Sequence, residues 1–174
     1  MKEFFSPIDN AGELLSALKN GALLTVKNGD RINSMTIGWG SFGINWSRPV
    51  FTVYVRESRF SRELLDANPE FTVSLPDAQF NKEILKFCGS RSGRDVDKAA
   101  ALGLHYEKAD KISGPGVKEL PLTLECRVLY RAVQEDSRLP EDIQDRFYPR
   151  DSSGKQDRHI AYYGQVVSAY RITD

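Results

Sequence analysis

The chain has 174 residues, which is the length of roughly one domain. Its 24 Lys and Arg residues balance its 24 Asp and Glu residues, and the sequence pI of about 6.7 excludes a basic protein that coats nucleic acid or an anionic membrane. The hydrophobic fraction of 40% argues against disorder, and no apolar run approaches the roughly 20 residues of a membrane helix. We therefore expect one globular domain over residues 1–174, with neither nucleic acid nor a membrane as a partner.

The N-terminal segment lacks the apolar core and the small-residue cleavage site of a secretory signal, which predicts a cytoplasmic protein. Two cysteines, Cys88 and Cys126, are too few for a disulfide scaffold and lack a CxxC spacing, so we expect buried free thiols. The two histidines, His105 and His159, stand in no metal-ligand spacing, and no GxSxG motif marks a hydrolase nucleophile. The sequence thus favours neither a metal site nor a hydrolase.

The first predicted element is a short helix, capped by Asp9 or Asn10 and ended by Gly21. Three apolar side chains share the face that we expect to be buried: Leu14, Leu15 and Leu18.

A β-hairpin is predicted next, with strands over residues 22–27 and 32–40. The intervening Asn28-Gly29-Asp30 contains Asn-Gly, one of the strongest short turn signals. Residues 50–55 form a nearly continuous apolar and β-branched run, which predicts a strand covered on both faces.

The middle of the chain alternates short helices with one strand. A helix is predicted over Phe60–Ala67, followed by a strand over residues 70–75. Two further short helices are predicted over residues 79–87 and 95–102.

The last third contains the clearest strand pattern. Residues 122–132 alternate, and one set of side chains is expected to face inward: Leu122, Leu124, Cys126, Val128, Tyr130 and Ala132. The opposite face would carry Thr123, Glu125, Arg127 and Arg131. Residues 135–158 are polar and predict an excursion loop with at most one helical turn, and residues 159–172 predict the final strand. About six strands with short helices between them favour a closed or partly closed antiparallel barrel.

The segment Gly38–Gly43 matches the dinucleotide fingerprint GxGxxG, but the pattern is misleading. That fingerprint requires a helix to follow, because the helix N-terminus binds the pyrophosphate. Here residues 44–49 lead into another strand, so we interpret the segment as a glycine-rich loop between strands.

A candidate anion site lies where the strand over residues 50–55 ends and the next helix begins. The free N–H groups of a first helical turn favour a phosphate, Arg59 can add a charge-assisted contact, and Ser58 and Ser61 offer hydroxyls. By residue type alone, Ser58 could equally be a helix cap and Arg59 a solvated side chain.

Two more clusters suit a polar ligand with a flat ring. The loop over residues 88–98 combines two glycines, two serines and three cations before a helix. Asn33 and Trp39 lie on the second hairpin strand, where an aromatic plane and an amide could meet a ring. Solvent-exposed loop residues and a core tryptophan are the alternative interpretations.

In order and spacing, these clusters resemble the flavin reductase-like family, most closely its flavoredoxin-type members. The resemblance rests on NSMTIGWGSFG, WSRPVFTVYVRESRFS and CGSRSGRDVDK, and it spans about residues 20–110. It implies a mainly β fold with short helices, the Greek-key-like FMN-binding split β-barrel, and non-covalent FMN in a cleft of a homodimer.

The resemblance also implies site residues. Those at the flavin ring would be Asn33, Trp39 and the backbone around Met35, Thr36 and Ile37. Those at the phosphate or ribityl end would be Ser58, Arg59 and Ser61. The third loop would contribute Lys98 as a flavin-contacting cation, with Ser90, Ser92 and Arg94 as further candidates.

The implied activity is hydride transfer from NADH or NADPH to FMN, followed by electron transfer to an acceptor, as in a flavin reductase. The cofactor carries this chemistry, so no side-chain nucleophile is expected. Two alternatives stay open: a flavoredoxin-like electron carrier that takes its electrons from a redox partner protein, and a non-catalytic ligand-binding barrel.

Overall fold

The computed structural model describes residues 1–173, and antiparallel strands form the frame of the fold. In chain order the elements are β1 (Lys2–Phe4), α1 (Ala11–Leu18), β2 (Ala22–Asn28), β3 (Arg31–Ile37), β4 (Gly40–Asn45), β5 (Arg48–Arg56), α2 (Phe60–Ala67), β6 (Glu70–Leu75), α3 (Lys82–Ser90), α4 (Lys98–Leu102), β7 (Tyr106–Glu107), β8 (Gly116–Val117), β9 (Leu122–Val133), a 3-10 turn (Asp136–Arg138), α5 (Glu141–Phe147) and β10 (His159–Ile172). Within residues 1–173, no helix is long and apolar enough to cross a membrane.

One eight-stranded sheet runs in the order β3-β2-β6-β9-β10-β5-β4, with β1 added on β10. Side chains near opposite ends of this order, such as Met35 of β3 and Phe51 of β5, belong to the same buried core. The sheet therefore curls around a common core, which confirms the expected mainly antiparallel fold with short helices. A two-residue link, Gly38–Trp39, joins the end strands β3 and β4.

Two predictions about this region are wrong. The second hairpin strand ends at Ile37 rather than at residue 40, and the expected glycine-rich loop is instead strand β4, paired with β5. A Cβ at Gly40 would lie 2.9 Å from Cε1 of Phe51, so this glycine allows the close approach of the Phe51 ring. The β4–β5 turn uses Trp46 and Ser47 at φ of 50° and 56°, without the glycine that usually marks such a turn.

The inward-facing residues predicted along β9 are correct only in its first half, at Leu122, Leu124 and Cys126. Tyr130 is 54% exposed rather than inward, because the pairing with β10 shifts and leaves Leu129 as an extra residue. Before this bulge both faces are covered, so Thr123 and Glu125, expected on the outer face, are also buried. Cys126 lies in the core as expected.

Capping residues explain the shifted helix boundaries. The helix predicted over residues 79–87 is α3, whose first turn is capped by Asn81, and the one predicted over residues 95–102 begins only at Lys98, after the cap Asp97. In α1, Leu15 is exposed, contrary to expectation, because only Leu14 and Leu18 reach the core.

The excursion between β9 and β10 is more ordered than predicted. It contains the 3-10 turn and the seven-residue helix α5 rather than a single helical turn. The Arg56 guanidinium anchors it by donating to the carbonyls of Phe147 and Asp157 over 2.9 and 2.6 Å. The excursion is therefore fixed against the end of β5, beside the candidate site.

Candidate functional site

Two adjoining cavities of about 170 and 180 Å³ form one cleft, because both are lined by Met35 and Arg59. The first lies along β3, the Gly38–Trp39 link and the end of β5. The second lies between the start of α2 and the loop over residues 90–94. All twelve residues predicted for the site line one cavity or the other: Asn33, Met35, Thr36, Ile37, Trp39, Ser58, Arg59, Ser61, Ser90, Ser92, Arg94 and Lys98.

The first cavity, here called the ring end, has an aromatic wall. Trp39 is 43% exposed, which excludes the alternative of a core tryptophan. Its ring lies edge-on to Phe147 of α5 at a centroid distance of 5.1 Å and at the same distance from the imidazole of His159. The excursion thus supports the wall by packing Phe147 against Trp39, which the sequence motifs did not indicate.

His159 is a buried, uncharged member of this wall. Burial, reinforced by the nearby Arg56 guanidinium, lowers the pKa of His159 to about 4. The Tyr148 hydroxyl lies 2.8 Å from its Nδ1. The imidazole is therefore neutral at pH 7 and forms a polar contact with the excursion.

The second cavity, the phosphate end, begins at the N-terminus of α2. Among residues 1–173, no side chain caps this helix, so its first N–H groups are available to an anion. Arg59 precedes the helix, and its Nη1 donates to the Gly89 carbonyl over 3.2 Å. This contact holds the guanidinium at the junction of the two cavities.

Arg94 reaches the same end from the opposite loop. Its Nη1 donates to the Ser58 carbonyl over 3.2 Å, and its Nη2 pairs with Glu63. The hydrogen bond from Arg94 lowers the pKa of the Glu63 carboxyl. Part of the Arg94 charge is therefore balanced by Glu63, whereas Arg59 has only a neutral carbonyl among its described hydrogen-bond partners.

A buried polar contact joins two of the sequence clusters. The Asn33 side-chain amide donates to the Ser61 hydroxyl over 2.8 Å, and both residues are buried. Gly93 packs against this pair, since a Cβ there would lie 2.0 Å from Oδ1 of Asn33. The third loop consequently requires glycine at this position.

Lys98 is a buried cation at the base of the cleft, only 5% exposed. Its Nζ donates to the carbonyls of Ser34 and Cys88 over 2.9 and 2.8 Å. Burial lowers the pKa of Lys98. The ammonium thus links β3 to the C-terminal turn of α3 as well as lining the cleft.

The serines differ in what they contact. Ser58 donates from its backbone N–H and its hydroxyl to the two carboxylate oxygens of Asp157, over 3.0 and 2.6 Å. Ser90 donates to the Phe87 carbonyl, and Ser92 accepts from the backbone N–H of Arg94. Sequence reasoning did not anticipate the Asp157 contact, because 99 residues separate the partners.

Residues 19–174 match the family model for the flavin reductase like domain. The chain belongs to the flavin reductase-like family. Membership indicates a flavin-related redox function and a flavin-binding site. No curated protein matches the chain in sequence.

Solved structures share the flavin reductase-like fold. Flavoredoxin from Methanosarcina acetivorans has a TM-score of 0.64 and 24% identity, covering 87% of this chain and 68% of that one. Flavoredoxin of Desulfovibrio vulgaris has a TM-score of 0.66 and 18% identity, covering 87% of this chain and 69% of that one. An NADH:FAD oxidoreductase of Streptomyces globisporus has a TM-score of 0.65 and 18% identity, covering 98% of this chain and 87% of that one.

The cleft of this flavin reductase-like chain has side chains of the kinds that suit a flavin. One end offers an aromatic wall for a ring, and the other offers free helix N–H groups and the Arg59 guanidinium for a phosphate. Seven further residues among those described line the two cavities: Gly38, Tyr54, Arg56, Phe60, Arg91, Gly93 and His159. The sequence motifs gave no signal for Tyr54 or His159. His159 reaches the cleft because β10 pairs with β5, where it lies opposite Arg56.

Proposed function

We propose that the chain binds FMN in this cleft and is an FMN-dependent oxidoreductase of the flavin reductase type. It would pass electrons from NADH or NADPH to an acceptor. The observation that carries the proposal is the continuity of the ring end and the phosphate end, which share Met35 and Arg59. A flavin mononucleotide presents these two chemistries, a flat ring and a phosphate, at opposite ends of one molecule.

In this proposal each end of the cleft holds one part of the cofactor. Trp39 and the backbone of β3 at Met35, Thr36 and Ile37 contact the ring. Asn33, expected at the ring, instead lines the phosphate end, where its amide donates to Ser61. Arg59, Ser61 and the first N–H groups of α2 bind the phosphate through charge-assisted hydrogen bonds. Further contacts are proposed from the neighbouring loop: Ser90, Ser92 and Arg94. Ser58, expected at the phosphate, instead donates both its N–H and its hydroxyl to Asp157.

Bound FMN would supply the ring that accepts a hydride. The chain would orient that ring, and Lys98, which lines the phosphate end, would add positive charge to the cleft, which favours the anionic reduced cofactor. His159, neutral at pH 7, adds no charge to the ring end. The residues of the cleft therefore act through position and electrostatics.

We also propose that the chain, acting as one domain over residues 1–174, forms a homodimer. Three aromatic rings cluster at the β4–β5 turn and the β9 bulge: Tyr163 lies 6.3 Å from Trp46 and 5.5 Å from Tyr130. Ile44 and Leu129 are exposed as well. Such exposed apolar side chains are typical of association surfaces.

A cytoplasmic location accords with the two free cysteines.

The decisive experiment is a visible spectrum of the purified chain with FMN, followed by anaerobic addition of NADH or NADPH. We expect FMN to bind and its absorbance to bleach rapidly. If FMN binds but stays oxidised, the electron carrier supplied by a redox partner protein becomes the better conclusion. If no FMN binds at micromolar concentration, the proposal is wrong and the result favours the non-catalytic ligand-binding barrel.

A further inference from the structure

The Arg56 guanidinium contacts both ends of the segment 147–157, which links α5 to β10. Its Nη2 donates to the Phe147 carbonyl over 2.9 Å, and its Nη1 donates to the Asp157 carbonyl over 2.6 Å. The guanidinium also lies over the Tyr148 ring, 5.3 Å from the ring centroid. Arg56 itself lines the ring end, so one side chain at the end of β5 fastens this segment beside that cavity.

We propose that Arg56 is a positioning residue for the ring end, which holds the segment 147–157 against β5 so that Phe147 and His159 keep the Trp39 ring in place to contact a flavin. This role rests on the proposed function, because it takes the ring end to receive the flat ring of the flavin. Arg56 acts through its contacts with the segment, and its charge alone is not sufficient for the role.

Trp39 needs this support because it lies on the two-residue link between β3 and β4. Its side chain is exposed, so the hydrophobic core does not fix the position of the ring. The Phe147 ring packs edge-on to it at a centroid distance of 5.1 Å, and the His159 ring lies tilted at the same distance. A binding site requires side chains that packing holds in one rotamer. The two neighbouring rings provide that packing for Trp39.

Both of these neighbours are in turn connected to Arg56. Phe147 is the last residue of α5, and within residues 1–173 Arg56 is the sole hydrogen-bond donor to its carbonyl. The next residue, Tyr148, places its hydroxyl 2.8 Å from Nδ1 of His159, and the two rings pack edge-on at 5.6 Å. His159 also pairs with Arg56 across β10 and β5. Loss of the guanidinium would therefore free the end of α5 and loosen the packing on Trp39.

The two ends of the segment depend on Arg56 to different degrees. Asp157 has a second anchor, since its carboxylate accepts hydrogen bonds from the N–H and the hydroxyl of Ser58. Among the described residues, the Phe147 carbonyl has no second anchor of this kind. A substitution at Arg56 should therefore loosen the Phe147 end while the return of the chain into β10 stays in place.

Arg56→Gln is the direct test, first on the chain without flavin. We expect trypsin to cut after the exposed Arg150 and Lys155 faster than in wild type, because the segment that contains them is held less firmly. The indole N–H signal of Trp39 in an NMR spectrum should shift. The other tryptophan, Trp46, lies at the opposite end of β5, and its signal should stay unchanged. A lower melting temperature without either effect would show a purely structural role and overturn the inference.

The same variant is then tested with riboflavin and FMN. Both affinities should fall by a similar factor, about tenfold for the loss of hydrogen bonds to a charged group, because both ligands contain the flavin ring. Arg59→Ala should weaken FMN binding alone. Fluorescence quenching measures the affinities. If Arg56→Gln weakens FMN binding but leaves riboflavin binding unchanged, Arg56 acts on the phosphate and the inference is wrong.

Arg158→Gln is the matched control, because it removes an arginine at the same end of the excursion. The Arg158 guanidinium pairs with the Glu57 carboxylate and lines neither end of the cleft. This variant should keep the wild-type riboflavin affinity and the wild-type Trp39 signal. A loss of riboflavin affinity equal to that of Arg56→Gln would show a general effect of removing a cation, and would contradict the specific role of Arg56.

Arg56→Lys separates the charge from the two-sided contact, since an ammonium replaces the planar fork that reaches both carbonyls. Its trypsin cleavage rate and riboflavin affinity should lie between those of wild type and Arg56→Gln. Wild-type behaviour of Arg56→Lys would show that the charge is sufficient, which contradicts the inference. If Arg56→Gln does not fold, Arg56→Lys provides the same measurements. If wild type binds no flavin, the proposed function fails, while the trypsin and NMR results still decide whether Arg56 positions Trp39.

Discussion

The side-chain amide of Asn33 donates to the hydroxyl of Ser61 over 2.8 Å, joining β3 to the first turn of α2. Both groups are buried, so this contact fixes the distance between the strand at the ring end and the helix at the phosphate end. Gly93 covers it from the third loop. The relative position of the two ends of the cleft therefore depends on a few buried contacts, which can be tested singly.

Gly93→Ala should destabilise the protein and weaken FMN binding. The new Cβ would lie 2.0 Å from Oδ1 of Asn33, whose amide cannot move without losing Ser61. Overpacking of this kind costs about 1–3 kcal/mol. Denaturant unfolding measures the loss. Gly43→Ala is the control, since no atom lies within 4 Å of a Cβ there, and it should leave stability nearly unchanged. Equal effects of the two changes would refute the close packing at Gly93.

Arg59→Ala should weaken FMN binding by about 1.5–3 kcal/mol, the usual contribution of a hydrogen bond to a charged group. Riboflavin affinity should change little, because riboflavin lacks the phosphate. Arg62→Ala, one helical turn away and outside the cleft, should retain wild-type FMN affinity. Titration by fluorescence quenching tests all three, and an undiminished FMN affinity of Arg59→Ala would remove Arg59 from the proposed site.

Lys98→Met should lower stability by about 1–3 kcal/mol, because the carbonyls of Ser34 and Cys88 lose a buried donor. It should also make the reduction potential of bound FMN more negative, since a cation that stabilises the reduced cofactor is gone. Potentiometric titration of bound FMN distinguishes this electrostatic effect of Lys98 from a purely structural role. Lys118→Met, at a half-exposed lysine paired with Glu107, is the control. A loss of stability without a shift in potential would contradict the proposed electrostatic role.

The buried His159 should make stability fall in mild acid. Its pKa is about 4 in the folded protein and about 6.5 when exposed, so the unfolded chain binds the extra proton between these values. The contribution, about 3 kcal/mol, is fully present above pH 6.5 and is lost as the pH falls toward 4. The free energy of unfolding, measured with denaturant at several pH values, should fall less steeply with decreasing pH in His159→Gln than in wild type. If the unfolding free energy of the two proteins depends on pH identically between pH 4 and 6.5, His159 is not a buried neutral imidazole.

Trp46→Asn should weaken the proposed homodimer without weakening the monomer fold. Trp46 has a φ of 50°, which asparagine tolerates better than most residues, so the β4–β5 turn should persist. The exposed aromatic surface shared with Tyr163 would be lost. Light scattering over a range of concentrations measures the association. A wild-type chain that is a strict monomer while binding FMN would disprove the dimer.

The sequence alone predicted six of the strands, β2, β3, β5, β6, β9 and β10, because strand patterning is local. The strand-to-helix junction at Ser58 also follows from neighbouring residues, and Asn33, Arg59 and Lys98, suggested by the motif set, line one cavity. The bounds of α2 at Phe60 and Ala67 were predicted correctly. The starts of α3 and α4 were not, because several polar residues could serve as caps and packing selects among them.

Tertiary structure decided the features that depend on distant partners. The bulge that turns Tyr130 outward arises from its register with β10, and the contact between Trp39 and Phe147 forms because α5 packs against the Gly38–Trp39 link. The contact of Asp157 with Ser58 likewise joins segments far apart in the chain. The neutral overall charge was evident from composition. The position of each charge along the cleft depends on strand pairing between distant segments, which local sequence patterns do not reveal.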